Sequence, residues 1–113
     1  MNILSDLYTA LSALDIPIET GVFKDEAPER YIVIVPMVES FDIHADNSPG
    51  VDVQEVRLSL YSRGNYIKDK NTLVKTLLGA DFTITDRRYI GYETETGYYH
   101  YAVDVAKHYE MEE

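Results

Sequence analysis

The chain has 113 residues, 45% of them hydrophobic, and a net charge of −10 from 20 acidic and 10 basic residues. This length predicts a single domain over residues 1–113, and the absence of cysteine excludes disulfides and thiolate metal sites. The acidic balance argues against specific nucleic-acid binding, and with neither a signal-peptide pattern nor a long apolar run we expect a soluble protein that does not enter a membrane.

The N-terminal segment predicts an amphipathic helix. Apolar residues recur at helical spacing over residues 2–14, and Asn2 is a suitable N-cap. Pro17 ends the pattern, because the residue before a proline avoids helical angles. A short strand is predicted next, over Ile18–Phe23.

Two further strands and a long loop follow. Tyr31–Val38 is apolar on both faces and predicts a strand covered on both sides, in which Pro36 should limit the pairing because proline donates no hydrogen bond. Residues 39–50 contain several polar and turn-forming residues and predict a long flexible loop. Residues 52–62 alternate, which predicts an antiparallel strand with one wet or partner-facing side.

The second helix begins after Gly64. Asn65 is a suitable N-cap, and Gly79 is placed to adopt the left-handed conformation that ends many helices. Ile67, Asn71, Val74, Leu77 and Leu78 are predicted on or near its inner side.

The remaining residues predict two strands joined by a turn. The strands are Phe82–Tyr89 and Tyr98–Tyr109, residues 90–97 form a flexible connection, and the charged tail 110–113 is expected to fray. The element order is thus α-β-β-β-α-β-β. We expect an α+β fold with two helices packed on a largely antiparallel sheet.

Six of the ten tyrosines lie between residues 89 and 109. Such clusters often line surfaces that meet another protein, because tyrosine joins an apolar ring to a polar tip. Strand alternation assigns Tyr99 and Tyr101 to the core, and leaves Tyr92 and Tyr98 as exposed contact candidates.

No catalytic or metal-binding arrangement is complete in the sequence. Asp42, His44 and Asp46 alternate, but no further ligand closes a metal site around them. His100 and His108 lie about 26 Å apart along an ideal strand, so they cannot share a ligand. We therefore expect no metal, no cofactor and no enzymatic activity.

Three segments resemble a known family. They are Leu58–Ser62 with the helix that follows, Phe82–Asp86, and the run Glu95–Tyr101. In these the chain resembles the small tail-completion, or tail-to-head joining, proteins of long-tailed phages and of prophages, over nearly its whole length. The resemblance implies an α+β fold and a structural role without catalysis.

The resemblance also implies an assembly. Such a protein forms a ring, expected to be a hexamer, at the top of the tail tube, where it contacts the tube protein and the head connector protein. The expected location is the head–tail interface of the virion, with the bacterial cytoplasm during assembly. The candidate interface residues lie in the two predicted loops and at the start of the last strand: Phe41, Asp42, His44, Asp46, Tyr92, Glu93, Glu95 and Tyr98.

Another reading remains open. A small ligand-binding or accessory α+β domain without catalysis has the same sequence pattern, and a deep apolar pocket would favour it. A DNA-mimic protein would require a regular array of carboxylates, and the acidic residues of this chain are scattered.

Overall fold

The computed structural model describes residues 2–20, 28–43 and 49–110, which form two helices and five strands. In chain order these are α1 (Ile3–Leu11), β1 (Ile18–Thr20), β2 (Arg30–Ile43), β3 (Pro49–Ser62), α2 (Tyr66–Gly79), β4 (Thr83–Glu93) and β5 (Tyr98–Glu110). The predicted element order and the α+β class are confirmed.

All five strands form one sheet, in the order β1-β2-β3-β5-β4. β1 runs parallel to β2, and every other neighbouring pair is antiparallel. The long β2–β3 hairpin and the C-terminal part of β5 extend the sheet, and the molecule measures 53 × 27 × 25 Å. Neither described helix combines the length and apolar character that a membrane span requires.

Both helices pack on the same face of the sheet. The buried core joins residues from both helices with alternate residues of the three central strands. Its members are Ile3, Leu7, Leu11, Ile16, Ile32, Ile34, Val56, Leu58, Leu60, Leu73, Leu77, Phe82, Tyr101, Val103 and Val105. Because side chains alternate along a strand, the intervening residues lie on the opposite face, which no described helix covers.

Asparagine caps begin both helices, as predicted. The Asn2 side chain accepts a hydrogen bond from the Ser5 N–H at 2.9 Å, and Asn65 accepts one from the Lys68 N–H at 3.2 Å. α1 ends at Leu11, three residues before the predicted end.

The prediction for Gly79 is wrong. Gly79 is the last residue of α2, and the left-handed residue is Asp81, with φ 66°. The Phe82 N–H then donates to the Leu77 carbonyl, and the Asp81 N–H donates to the Leu78 carbonyl, which satisfies the helix end. Aspartate tolerates this conformation better than most residues.

Three residues of α2 lie further from the core than predicted. Asn71 is exposed, Ile67 is 52% exposed and Leu78 is 56% exposed, whereas Leu73 and Leu77 are buried. The buried stripe of α2 is therefore narrower than the apolar pattern.

The predicted loop over residues 39–50 is wrong in its bounds. β2 continues through Pro36 to Ile43, and β3 begins at Pro49. A bulge between Pro36 and Val38 absorbs the proline. Strand pairing likewise replaces the predicted connection as far as Glu93, so only Thr94–Gly97 forms the turn before β5. The last residues of the strand predicted over Ile18–Phe23, the loop centre 44–48 and the tail 111–113 lie outside the described residues.

Candidate interaction surface

The helix-free face of the sheet carries a row of stacked rings. Tyr31 of β2 lies opposite Tyr61 of β3, and Tyr61 lies opposite His100 of β5. The ring centroids are 4.8 Å apart between Tyr31 and Tyr61, and 4.3 Å apart between Tyr61 and His100. The row ends at Gly91 of β4, which lies opposite His100 and has no side chain. Strand register alone therefore brings three rings from three strands into contact.

Tyr98 lies beside this row, two residues before His100 on β5, and is not an exposed contact. Its ring meets Tyr31 edge-on at 5.3 Å, the Arg63 guanidinium lies 4.3 Å above it, and its hydroxyl donates to the Pro28 carbonyl. Only 3% of Tyr98 is exposed. The predicted exposure of Tyr98 is wrong, because Arg63, from the connection between β3 and α2, folds over the ring.

Burial sets the ionisation of the row. It raises the pKa of Tyr31 to about 12, with a further contribution from the neighbouring Tyr61. It lowers the pKa of His100, and Arg57 acts in the same direction while Glu93 opposes it. The Nε2 atom of His100 is buried and has no hydrogen-bond partner among the described residues. The neutral imidazole is therefore the favoured form in this environment.

Ion pairs occupy the middle of the same face. The Arg57 guanidinium donates to both carboxylate oxygens of Asp104, at 2.8 and 3.1 Å. Closer to the sheet edge, Thr85 donates to Glu55, and Arg88 pairs with Asp86. The aromatic end of the face thus adjoins a polar region whose charged groups are paired within the chain.

The other rings of the tyrosine cluster lie on the helix side of β4 and β5. Tyr66, at the start of α2, stacks on Tyr99 with centroids 4.9 Å apart, and it also meets Tyr89 at 5.5 Å. Tyr92 meets Tyr99 at 4.7 Å. Tyr89 and Tyr92 are each 49% exposed, so the predicted exposure of Tyr92 is confirmed. Tyr101 is buried in the core as predicted, whereas Tyr99 is half-buried.

The remaining candidate interface residues do not converge on one site. Phe41 and Asp42 lie in β2, opposite Asp52 and Val51 of β3, and their side chains are not described. His44 and Asp46 lie outside the described residues. The other two candidates, Glu93 and Glu95, are exposed near the turn before β5. They lie beside Tyr92, whereas Phe41 and Asp42 belong to the hairpin.

One cleft of about 360 Å³ lies between the start of α1 and the β2–β3 pair. Ile3, Met37 and Val56 give it apolar walls. Two side-chain amides line it: Gln54 accepts from the Ile3 N–H and donates to Asp52, and Asn2 accepts from the Ser5 N–H. Polar groups that could orient a ligand are thus already engaged within the chain.

Sequence reasoning did not find the Tyr31–Tyr61–His100 row. The alternation over residues 52–62 predicts one wet or partner-facing side, but only the register of three strands shows which rings meet. Among the described residues, no three His, Cys, Asp or Glu side chains are grouped so that they could hold a metal ion. Comparison of the sequence with protein-family models and with curated proteins found no match.

Proposed function

We propose that this protein is a structural phage or prophage protein that completes the tail and joins it to the head connector, as a ring at the top of the tail tube. The observation that carries the proposal is the sheet itself: both helices cover one face, and the other face is left to aromatic and ion-paired side chains. Aromatic and arginine side chains are enriched where proteins meet.

The segments that resemble tail-completion proteins are contiguous in the fold. Leu58–Ser62 belongs to β3, Phe82–Asp86 leads into β4, and Glu95–Tyr101 includes the turn and the start of β5. These strands are neighbours in the order β3-β5-β4. The three segments with the strongest resemblance therefore lie side by side in the sheet, which supports a shared architecture.

The proposed partners are further copies of the chain, in a ring expected to be a hexamer, together with the tail tube and head connector proteins. The β2–β3 hairpin and the turn after β4 are the proposed contact regions, since both lie at ends of the elongated sheet. The net charge of −10 would repel DNA phosphates rather than hold them. The proposed location is the head–tail interface of the virion.

A small-ligand or accessory domain is the second candidate, and the cleft beside α1 is the observation that favours it. Ligand sites of this size combine apolar walls with a few free polar groups. Here Asn2 caps α1, Gln54 binds Ile3 and Asp52, and Glu55 accepts from Thr85. These intrachain bonds make the cleft the weaker basis for a function.

Deletion of the gene from the phage or prophage that encodes it tests the proposal. We expect induced cells to accumulate filled heads and unattached tails, and expression of the wild-type chain from a plasmid to restore joined virions. Normal yields of joined virions without the protein would refute the tail-completion role. A loss of virions that begins at head formation would refute it equally.

A further inference from the structure

The outer edge of β4 has an uncharged, exposed centre. β4 is the last strand in the sheet order, so one side of its backbone has no neighbouring strand among the described residues. Natural proteins commonly cover such edges, place charges along them or bend them with bulges. β4 has a bulge at Ile90, but its central part reads Tyr89-Ile90-Gly91-Tyr92, without a charge, and Ile90 is 48% exposed.

Charges of opposite sign flank this uncharged stretch. Arg87 and Arg88 precede it, next to Asp86, and Glu93 and Glu95 follow it. If two copies of the strand run antiparallel, the basic end of each meets the acidic end of the other. The edge is therefore complementary to itself, which favours a second copy of the chain over an unrelated strand as its partner.

A bulge aligns the side chains for this pairing. Tyr89 pairs with Tyr101 and Gly91 pairs with His100, and these two partners are consecutive residues of β5. Ile90 is therefore an extra residue of β4 without a partner of its own on β5. Arg88 pairs with Ala102, and Glu93 pairs with Tyr98. Because Ala102 and Tyr98 are four residues apart on β5, Arg88 and Glu93 share the helix-free face.

The tyrosines on either side of the bulge are aligned in the same way. Tyr89 pairs with Tyr101, and Tyr92 pairs with Tyr99. Because Tyr101 and Tyr99 are two residues apart on β5, Tyr89 and Tyr92 share the helix side of the sheet. In a regular strand without the bulge, Arg88 and Glu93 would lie on opposite faces, and so would Tyr89 and Tyr92, because each pair is separated by an odd number of residues.

We propose that β4 pairs antiparallel with β4 of a second copy, about a twofold axis between Ile90 and Gly91. In this register Arg88 lies opposite Glu93 of the second copy on the helix-free face, and Tyr89 lies opposite its Tyr92 on the helix side. Each contact occurs twice. Arg88 keeps its pair with Asp86 at 2.5 Å, since a guanidinium has five N–H donors.

This dimer is independent of the proposed ring. A twofold contact uses the same surface on both copies and is closed, so it cannot extend into a ring by itself. In the isolated protein the dimer covers the outer β4 edge of each copy and the exposed rings of Tyr89 and Tyr92. Its failure would leave the tail-completion proposal untouched, and the reverse also holds.

Sedimentation velocity over a concentration series tests the dimer with the full-length chain. We expect the wild type to shift with concentration from the 12.9 kDa chain towards twice that mass. Arg88→Glu places like charges opposite each other at both symmetric positions, so dimer affinity should fall roughly tenfold or more. The double variant Arg88→Glu/Glu93→Arg restores opposite charges and should recover most of the loss.

Arg87→Glu is the matched control, because Arg87 lies opposite Val103 on the other face of the strand and does not face Glu93 in this register. It should weaken the dimer much less than Arg88→Glu does. Thermal unfolding of each variant establishes that the fold is retained. A wild type that stays monomeric at every concentration would overturn the proposal, and so would an oligomer that Arg88→Glu leaves intact or that the charge swap fails to restore.

Discussion

Arg57 of β3 and Asp104 of β5 form a bidentate ion pair on the helix-free face of the sheet. The Asp104 side chain is 7% exposed and that of Arg57 is 37% exposed. The pair therefore places a nearly buried carboxylate under a guanidinium that still reaches solvent, in the middle of the helix-free face.

Removal of the guanidinium should destabilise the fold. Arg57→Met leaves the Asp104 carboxylate buried without its charged donor, and we expect the free energy of unfolding to fall by about 2–3 kcal/mol. Urea denaturation measures the change. Arg87→Met, at an exposed position on the neighbouring strand, should cost no more than about 0.5 kcal/mol. Equal losses in the two variants would contradict this role of the pair.

Two tyrosines of the same cluster should behave differently. Tyr98→Ala removes a buried ring together with its hydrogen bond to the Pro28 carbonyl, so it should lower the free energy of unfolding by about 3–5 kcal/mol. Tyr92→Ala removes a half-exposed ring and should lower it by about 1 kcal/mol or less. Thermal or urea unfolding of both variants decides the matter, and a larger loss at Tyr92 would contradict the packing described.

A substitution at the end of α2 should stabilise the fold rather than destabilise it. Gly79 is helical, and a Cβ added there would meet nothing within 4 Å. Gly79→Ala should therefore raise the free energy of unfolding by about 0.5–1 kcal/mol, since alanine loses less backbone entropy in a helix. Asp81→Gly, at the left-handed position, should also be stabilising. If Gly79→Ala is destabilising, the assignment of the left-handed residue to Asp81 fails.

The free energy of unfolding should depend on pH through His100. Burial lowers the pKa of His100 in the folded state below its ordinary value of 6.5, so the unfolded chain binds the proton more readily. The free energy of unfolding should then fall as the pH decreases below about 6.5 and approaches the folded-state pKa. Phenylalanine keeps a ring for Tyr61 but does not titrate. His100→Phe should therefore lose less stability than the wild type between pH about 7.5 and about 5.5, and equal losses would contradict the assignment.

Local signals made much of the fold predictable. The asparagine caps, the helical spacing of Ile3, Leu7 and Leu11, and the alternation along β3 each depend on residues close in sequence. They predicted the element order and the sides of β3 and β5 that face the core. The turn before β5 also followed from its local composition.

Contacts between distant residues were not predictable in the same way. The burial of Tyr98 depends on Arg63 and Pro28, and the ring row depends on the register of three strands. β2 continues past Pro36 because β3 provides a ladder and a bulge absorbs the proline. Local composition predicted that the strand ends at Val38, and pairing with β3 carries it on to Ile43.

Electron microscopy of the purified protein mixed with tail tubes from the phage or prophage that encodes it tests the proposed tail-completion role. We expect ring-shaped density at one end of each tube, at the end that joins the head, and tubes that no longer lengthen when more tube protein is added. Tubes without added density, or protein bound along their whole length, would contradict it.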